Sequence, residues 1–221
     1  MSFSRKNKSF FIAGTGTDVG KTYISALIVK DCLRKKLKTT YFKPFASGCE
    51  GDIPEDISFI KEKTGVDTYS LYKIREPVAP GVIIKEINIK RIIEKWDYLT
   101  RTYEAMIVEG IGGLLVPIDE SFFVSDIIKM LKIPVILVGE NKLGIINDTL
   151  LSVYYLRKEN IDFSGFLLNN KGISDFSTKT NASVLKKFIG KKFLGEIKRK
   201  QRELNSNQTL LPKNDQEYDV F

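Results

Sequence analysis

The chain has 221 residues, 43% hydrophobic and 28% charged, a balance that suits one folded domain and excludes a disordered or fibrous chain. No apolar run reaches the roughly 18 residues of a membrane span, no signal-peptide pattern opens the chain, and Cys32 and Cys49 do not make a disulfide framework, so a reduced, cytoplasmic setting is expected. With no histidine, Ser/His/Asp and Cys/His catalysis are excluded, and acid-base work falls to Lys, Asp, Glu or substrate.

Residues Ser9 to Ala13 form a short apolar run that reads as a strand, and the helical spacing of Thr22 to Lys35 follows it. Between them lies GTGTDVGKT, Gly14 to Thr22. Strand, Gly-rich loop and helix in this order form a phosphate cradle, because glycines allow close backbone approach and the helix N-terminus presents amides to an anion. Lys21 would reach the outer phosphates and the Thr22 hydroxyl would ligate Mg²⁺. The spacing differs from the strict pattern: Thr15 stands at the usual first-glycine position and Gly14 one residue earlier.

A second strand, Thr39 to Phe42, runs into Lys43-Pro44-Phe45-Ala46-Ser47-Gly48. Helices are expected over Asp56 to Lys63 and Ile89 to Thr102, then a strand over Ala105 to Val108 ending in Glu109-Gly110-Ile111-Gly112-Gly113. Glu109 closes an otherwise apolar strand, and a carboxylate there needs a partner, which a metal site supplies. Asp56 is a second metal candidate, or simply a helix-start carboxylate that satisfies exposed amides.

A helix over Ser125 to Leu131, a strand over Pro134 to Val138, a helix over Asn147 to Glu159 and a strand over Gly165 to Leu168 complete the pattern, with Asn169 at the end of the last strand. Asn169 offers both a donor and an acceptor to a purine edge, or forms a turn. Alternating β and α segments predict an α/β fold, a single-domain P-loop NTPase with a doubly wound, mostly parallel sheet and helices on both faces. Ligands then bind at the carboxyl ends of the strands, where these polar segments converge.

The formal charge of +8 is uneven. Eight basic residues between Lys186 and Arg202 face Glu196 alone, and without interleaved aromatic residues this reads as a solvated helix face followed by a polar tail from about Lys198. No nucleic-acid or membrane partner is expected.

KPFASG downstream of GTGTDVGKT resembles the dethiobiotin synthetase family. Further matches follow in order: Glu76 to Pro80, Val108 to Gly113, Leu143 to Asn147, Gly165 to Asn169 and Leu194 to Ile197. The resemblance implies ATP and Mg²⁺ as cofactors, 7,8-diaminopelargonic acid and CO₂ or bicarbonate as substrates, and a homodimer. It implies that Lys21, Lys43, Thr17 and Ser47 serve catalysis, and that Thr22, Asp56 and Glu109 hold the metal. Nucleotide would meet Gly14, Thr15, Gly16, Asp18, Val19, Gly20, Lys21, Thr22, Tyr23 and Asn169. Substrate would meet Lys43, Ser47, Gly112, Gly113, Leu114, Val116 and Pro117, with Gly144 and Asn147 in a pocket that the family completes from a second subunit. The chain departs from the family's usual residues at Asp18, Gly81, Ile111 and Lys198. A partition-type P-loop ATPase, using the basic segment as its DNA or membrane contact, is the alternative; Gly16 stands where such proteins usually carry an extra lysine.

Overall fold

A computed structural model describes residues 8–49, 51, 53–172, 174–208 and 210. Its centre is a seven-stranded sheet in the order β3-β2-β4-β1-β5-β6-β7. The strands are β1 (Lys8–Gly14), β2 (Thr39–Ala46), β3 (Asp67–Lys73), β4 (Ala105–Gly113), β5 (Val135–Glu140), β6 (Phe163–Asn169) and β7 (Phe193–Ile197). Every pairing is parallel, so all strand carboxyl ends lie along one rim.

Six helices connect them: α1 (Lys21–Arg34), α2 (Glu55–Thr64), α3 (Ile89–Thr102), α4 (Val124–Leu131), α5 (Ile145–Lys158) and α6 (Phe176–Ile189). The two-residue period of a strand divides its apolar side chains between the two faces. Phe10 and Ile12 of β1 meet Ile24, Leu27 and Ile28 of α1 and Ile57 and Ile60 of α2. Phe11 and Ala13 face the other way, into a core shared with Ile92 and Leu99 of α3, Ile127 of α4, Leu156 of α5 and Leu185 of α6. The expected doubly wound arrangement is present, and the sheet is wholly parallel.

Three elements go beyond the sequence-based expectation. Strand β3, DTYSLYK, lies at one edge of the sheet and is half-buried along most of its length, so its polar composition hides the usual apolar signal. Strand β7 is short and half-buried, with Gly195 at φ 127°. Helix α6 is rich in Ser, Thr and Asn; it begins because the Asp175 carboxylate accepts from the Thr178 amide at 2.8 Å while the Thr178 hydroxyl accepts from the Asp175 amide at 2.9 Å, a reciprocal cap. Helix α5 starts at Ile145, earlier than expected, after Gly144 in the left-handed region at φ 92°.

The chain beyond β7 crosses back over α1. The Tyr23 hydroxyl donates to the Gln201 carbonyl, Arg34 pairs with Glu203 at 2.9 Å, Leu204 is buried in the α1 core, and the Gln208 amide donates to the Glu196 carbonyl at 2.7 Å. The rest of the polar tail, residues 211–221, lies outside the described residues. Among the described residues no helix is long and apolar enough to cross a membrane.

Candidate active site

The loop between β1 and α1 folds back over the rim of the sheet. Gly14 is fixed by space: a Cβ there would stand 2.5 Å from the Gly16 carbonyl oxygen and 2.8 Å from that of Gly112. Gly20 caps α1 in the left-handed region at φ 95°, and a Cβ would meet the Asn169 amide nitrogen at 2.1 Å. Any other residue would strain the backbone and displace Asn169. The Thr15 amide donates to the Val138 carbonyl at 2.9 Å, tying the loop to β5. Val19 is buried, and its carbonyl accepts from Asn169 Nδ2 at 2.9 Å.

A cavity of about 400 Å³ opens on this loop, lined by Thr17, Asp18, Gly20, Lys21, Thr22, Lys43, Ser47, Asp56, Glu109, Ile111, Gly112 and Lys171. Strand alternation explains why Lys43 and Glu109 meet there. On β2, Tyr41 lies in the α1 core and Phe42 in the opposite one; on β4, Ile107 and Val108 divide likewise. Phe42 pairs with Val108, so the next residues on the two neighbouring strands, Lys43 and Glu109, both turn toward α1.

Glu109 is fully buried. Its Oε1 accepts from Lys43 Nζ at 2.7 Å, and its Oε2 accepts from the Ser25 hydroxyl at 2.7 Å. Lys43 also pairs with Asp56 at 2.7 Å. Burial works against the Lys43 charge, but Glu109 and Asp56 outweigh it and hold the ammonium above its usual pKa. Burial would likewise raise Asp56, and Lys43 overcomes it, so that carboxyl stays below its usual range. The Tyr41 phenol, raised well above its usual pKa by burial and then by Glu109, lies close to that carboxylate without a hydrogen bond of acceptable geometry.

Thr22 Oγ lies 2.6 Å from Asp56 Oδ1 and 2.8 Å from Glu109 Oε1. A hydroxyl carries one proton, so it donates to one carboxylate and faces the other with a lone pair. Three oxygens thus converge around one hydroxyl proton, with Lys43 Nζ donating to Glu109 Oε1 beside them, a donor set that suits a hard divalent cation. Two carboxylates and a hydroxyl match what Mg²⁺ takes from protein when phosphates and water supply the remainder. Among the described residues no group of three His, Cys, Asp or Glu side chains could hold a metal by itself.

Lys21 is also buried, and its Nζ donates to the Gly16 carbonyl at 3.2 Å. Here desolvation prevails over Glu109 and brings the pKa down to about 8. Lys43 is matched by carboxylates at hydrogen-bond distance, whereas Lys21 donates to a backbone carbonyl.

A second trough of about 380 Å³ shares Thr17 with the first; Thr15, Gly16, Gly113, Leu114, Leu115 and Val116 meet Leu151, Ser152 and Tyr155 of α5 there. The predicted residues thus divide. Thr17, Asp18, Gly20, Lys21, Thr22, Lys43, Ser47, Asp56, Glu109 and Gly112 surround the first cavity, while Thr15, Gly16, Gly113, Leu114 and Val116 line the trough. Asn169 is a buried strand-end residue that braces the loop and is not a turn former. Tyr23 turns toward Gln201, Pro117 bridges to Phe123, and Gly144 and Asn147 at the start of α5 line neither space. Ser25 and Lys171 escaped the sequence reading, although Ser25 stands one helical turn beyond Thr22 and Lys171 two residues beyond Asn169; Ile111, noted there only as a departure from the family, lines the cavity.

Residues 8–206 match a family model described as an AAA domain. The chain is 35% identical over 189 residues to the ATP-dependent dethiobiotin synthetase of Endomicrobium trichonymphae, covering 81% of this chain and 88% of that one. It is 34% identical over 203 residues to the protein of the same name from Bacillus subtilis, covering 85% and 86%. Among solved structures, a plasmid partition protein from Borrelia burgdorferi superposes with a TM-score of 0.58 at 17% identity, covering 88% of this chain and 91% of that one. A likeness at that identity shows the fold alone.

Proposed function

The chain belongs to the ATP-dependent dethiobiotin synthetase family, and on that premise we propose that it uses ATP to join CO₂ to 7,8-diaminopelargonic acid and close the ureido ring of dethiobiotin in biotin biosynthesis. One amine takes up CO₂ as a carbamate. The γ-phosphoryl group moves to a carbamate oxygen, releasing ADP, and the second amine attacks the carbonyl carbon and expels phosphate. Each intermediate is anionic, so positioning and charge neutralisation do the catalytic work, with no histidine or protein nucleophile required.

The reading rests chiefly on one observation: Thr22, Lys43, Asp56 and Glu109 meet within hydrogen-bond distance beside the loop that carries Lys21. Lys21 binds the outer phosphates. Lys43, kept charged by Glu109 and Asp56, faces the oxygens between which the phosphoryl group passes, and Thr17 and Ser47 position phosphate and substrate from the cavity wall. Thr22, Asp56 and Glu109 would hold Mg²⁺, which would neutralise charge on the phosphate oxygens. The loop from Gly14 to Tyr23 cradles the nucleotide, with Asn169 toward the base. The apolar trough with Gly113, Leu114 and Val116 takes the substrate chain.

The protein works as a single domain and as a homodimer. Leu143, Leu151 and Tyr154 are 82%, 60% and 66% exposed and form an apolar stretch around the start and one side of α5. A second copy covering it would bring Gly144 and Asn147 to the neighbouring pocket. Sedimentation should give a dimer.

The assay is ADP release with ATP, Mg²⁺ and bicarbonate, with and without the diamine, while mass spectrometry follows dethiobiotin. Diamine-stimulated ADP release with product formation is expected. Hydrolysis indifferent to the diamine, without dethiobiotin, would sink the assignment in favour of a partition-type ATPase.

A further inference from the structure

Two of the three lysines around the first cavity are buried; the third, Lys171, keeps 41% of its side chain exposed and stands at the mouth. Its ammonium donates to the Asp18 carbonyl, in the phosphate loop itself, and lies 3.4 Å from Glu140 Oε2 at the end of β5. The backbone beneath it is pinned. Asn170 Nδ2 donates to Glu196 Oε1 at 2.7 Å, Asn170 Oδ1 accepts from the Gly172 amide at 2.8 Å, and the Asn170 amide donates to the Ile197 carbonyl at 2.9 Å. Glu196 Oε1 also accepts from Asn141 Nδ2 at 3.0 Å, and Asn181 Nδ2 donates to Asn141 Oδ1 at 2.9 Å. This network binds the ends of β5, β6 and β7 to α6, so motion at Lys171 belongs to its side chain.

We propose that Lys171 is a nucleotide-binding residue that leaves the Asp18 carbonyl to pair with a polyphosphate oxygen, while Glu140 sets how readily it does so. The proposal rests on the nucleotide-binding reading of this cavity. The bond to a neutral carbonyl carries charge on the ammonium alone, whereas a phosphate oxygen would add charge on the acceptor as well. Glu140 competes for the same ammonium. Because Lys171 is more exposed than Lys21 or Lys43, its contribution is screened by salt far more than theirs. The Asn170–Glu196 network holds the lysine's starting point within reach of the loop.

Calorimetric titration of the whole protein with ADP, and with a non-hydrolysable ATP analogue, tests this at about 50 and 300 mM salt. Lys171→Ala should weaken both ligands about threefold to tenfold at low salt, with a smaller loss at high salt, and Lys171→Arg should restore most of the affinity. Glu140→Gln should tighten binding about twofold to threefold in the parent protein and do nothing in the Lys171→Ala background. Melting temperatures should stay within about 2 °C of the parent, since the lysine is exposed. Unchanged affinity on Lys171→Ala, a loss independent of salt, or a Glu140→Gln effect that persists without Lys171 would each overturn the proposal. If the parent protein itself bound neither ligand, the nucleotide reading would fail instead, and Lys21→Ala serves as the non-binding reference.

Discussion

Replacing Lys21 by Met separates what this lysine does for nucleotide from what it costs the fold. Its pKa falls from 10.5 to about 8, which at about 1.4 kcal/mol per pKa unit makes the charged form roughly 3 kcal/mol worse in the folded chain. Below pH 8 that penalty is present in full. Between about 8 and 10.5 the unfolded chain holds more protons at this site than the folded one, so stability rises with pH and the penalty disappears. Methionine fills the same space without charge and gives up only the bond to the Gly16 carbonyl, worth about 1 kcal/mol. Lys21→Met should therefore stabilise the ligand-free protein by about 2 kcal/mol at pH 7, or about 4–8 °C for a domain of this size. The gain should vanish near pH 10. Thermal melts at pH 7 and pH 10 check this, and calorimetry should find nucleotide binding abolished. A variant less stable than its parent at pH 7, or a gain equal at both pH values, would refute the argument.

Gly20→Ala should destabilise the fold by about 1–3 kcal/mol through its backbone alone and weaken ADP binding, because its Cβ would meet the Asn169 amide at 2.1 Å. Adding Asn169→Ala should relieve the collision but not the backbone cost, which melting of the double variant would show. Asp56→Asn removes one negative oxygen from the Thr22 cluster and should raise the Mg²⁺ concentration for half-maximal turnover on the order of tenfold; an unchanged metal titration would leave Asp56 as a helix-start residue paired with Lys43. Tyr41→Phe deletes a buried hydroxyl that has no good hydrogen bond and should raise stability by about 1 kcal/mol, read from urea denaturation.

Much of this site could be read from residue order, because parallel strands bring their carboxyl ends to one rim and the polar segments there announce themselves. Glu109 is the clearest case: a carboxylate on an apolar strand needs partners, and it has Lys43, Thr22 and Ser25. What one chain cannot announce is direction. Asn169 carries a purine's complement, and only the fold shows that its Nδ2 also braces the Val19 carbonyl. Lys171 looks like any surface lysine until β6 lays it across the phosphate loop 153 residues away in sequence. Strand β3 and helix α6 were hidden for a different reason. An edge strand needs few apolar residues, and a helix built on a reciprocal cap tolerates Ser, Thr and Asn that would read as loop.

The position of β1 also governs how the protein is made. It carries the phosphate loop, but its partners in the sheet are β4 and β5, which begin at Ala105 and Val135. A ribosome that has produced the first hundred residues has made β1, β2 and β3, of which only β2 and β3 lie side by side in the finished sheet. Until β4 emerges, β1 is an apolar segment without a partner, the kind that invites association with other nascent chains or with chaperones. The site's first motif to be synthesised is therefore completed late, and truncated chains that end before Ala105 should be insoluble although they contain the whole phosphate loop.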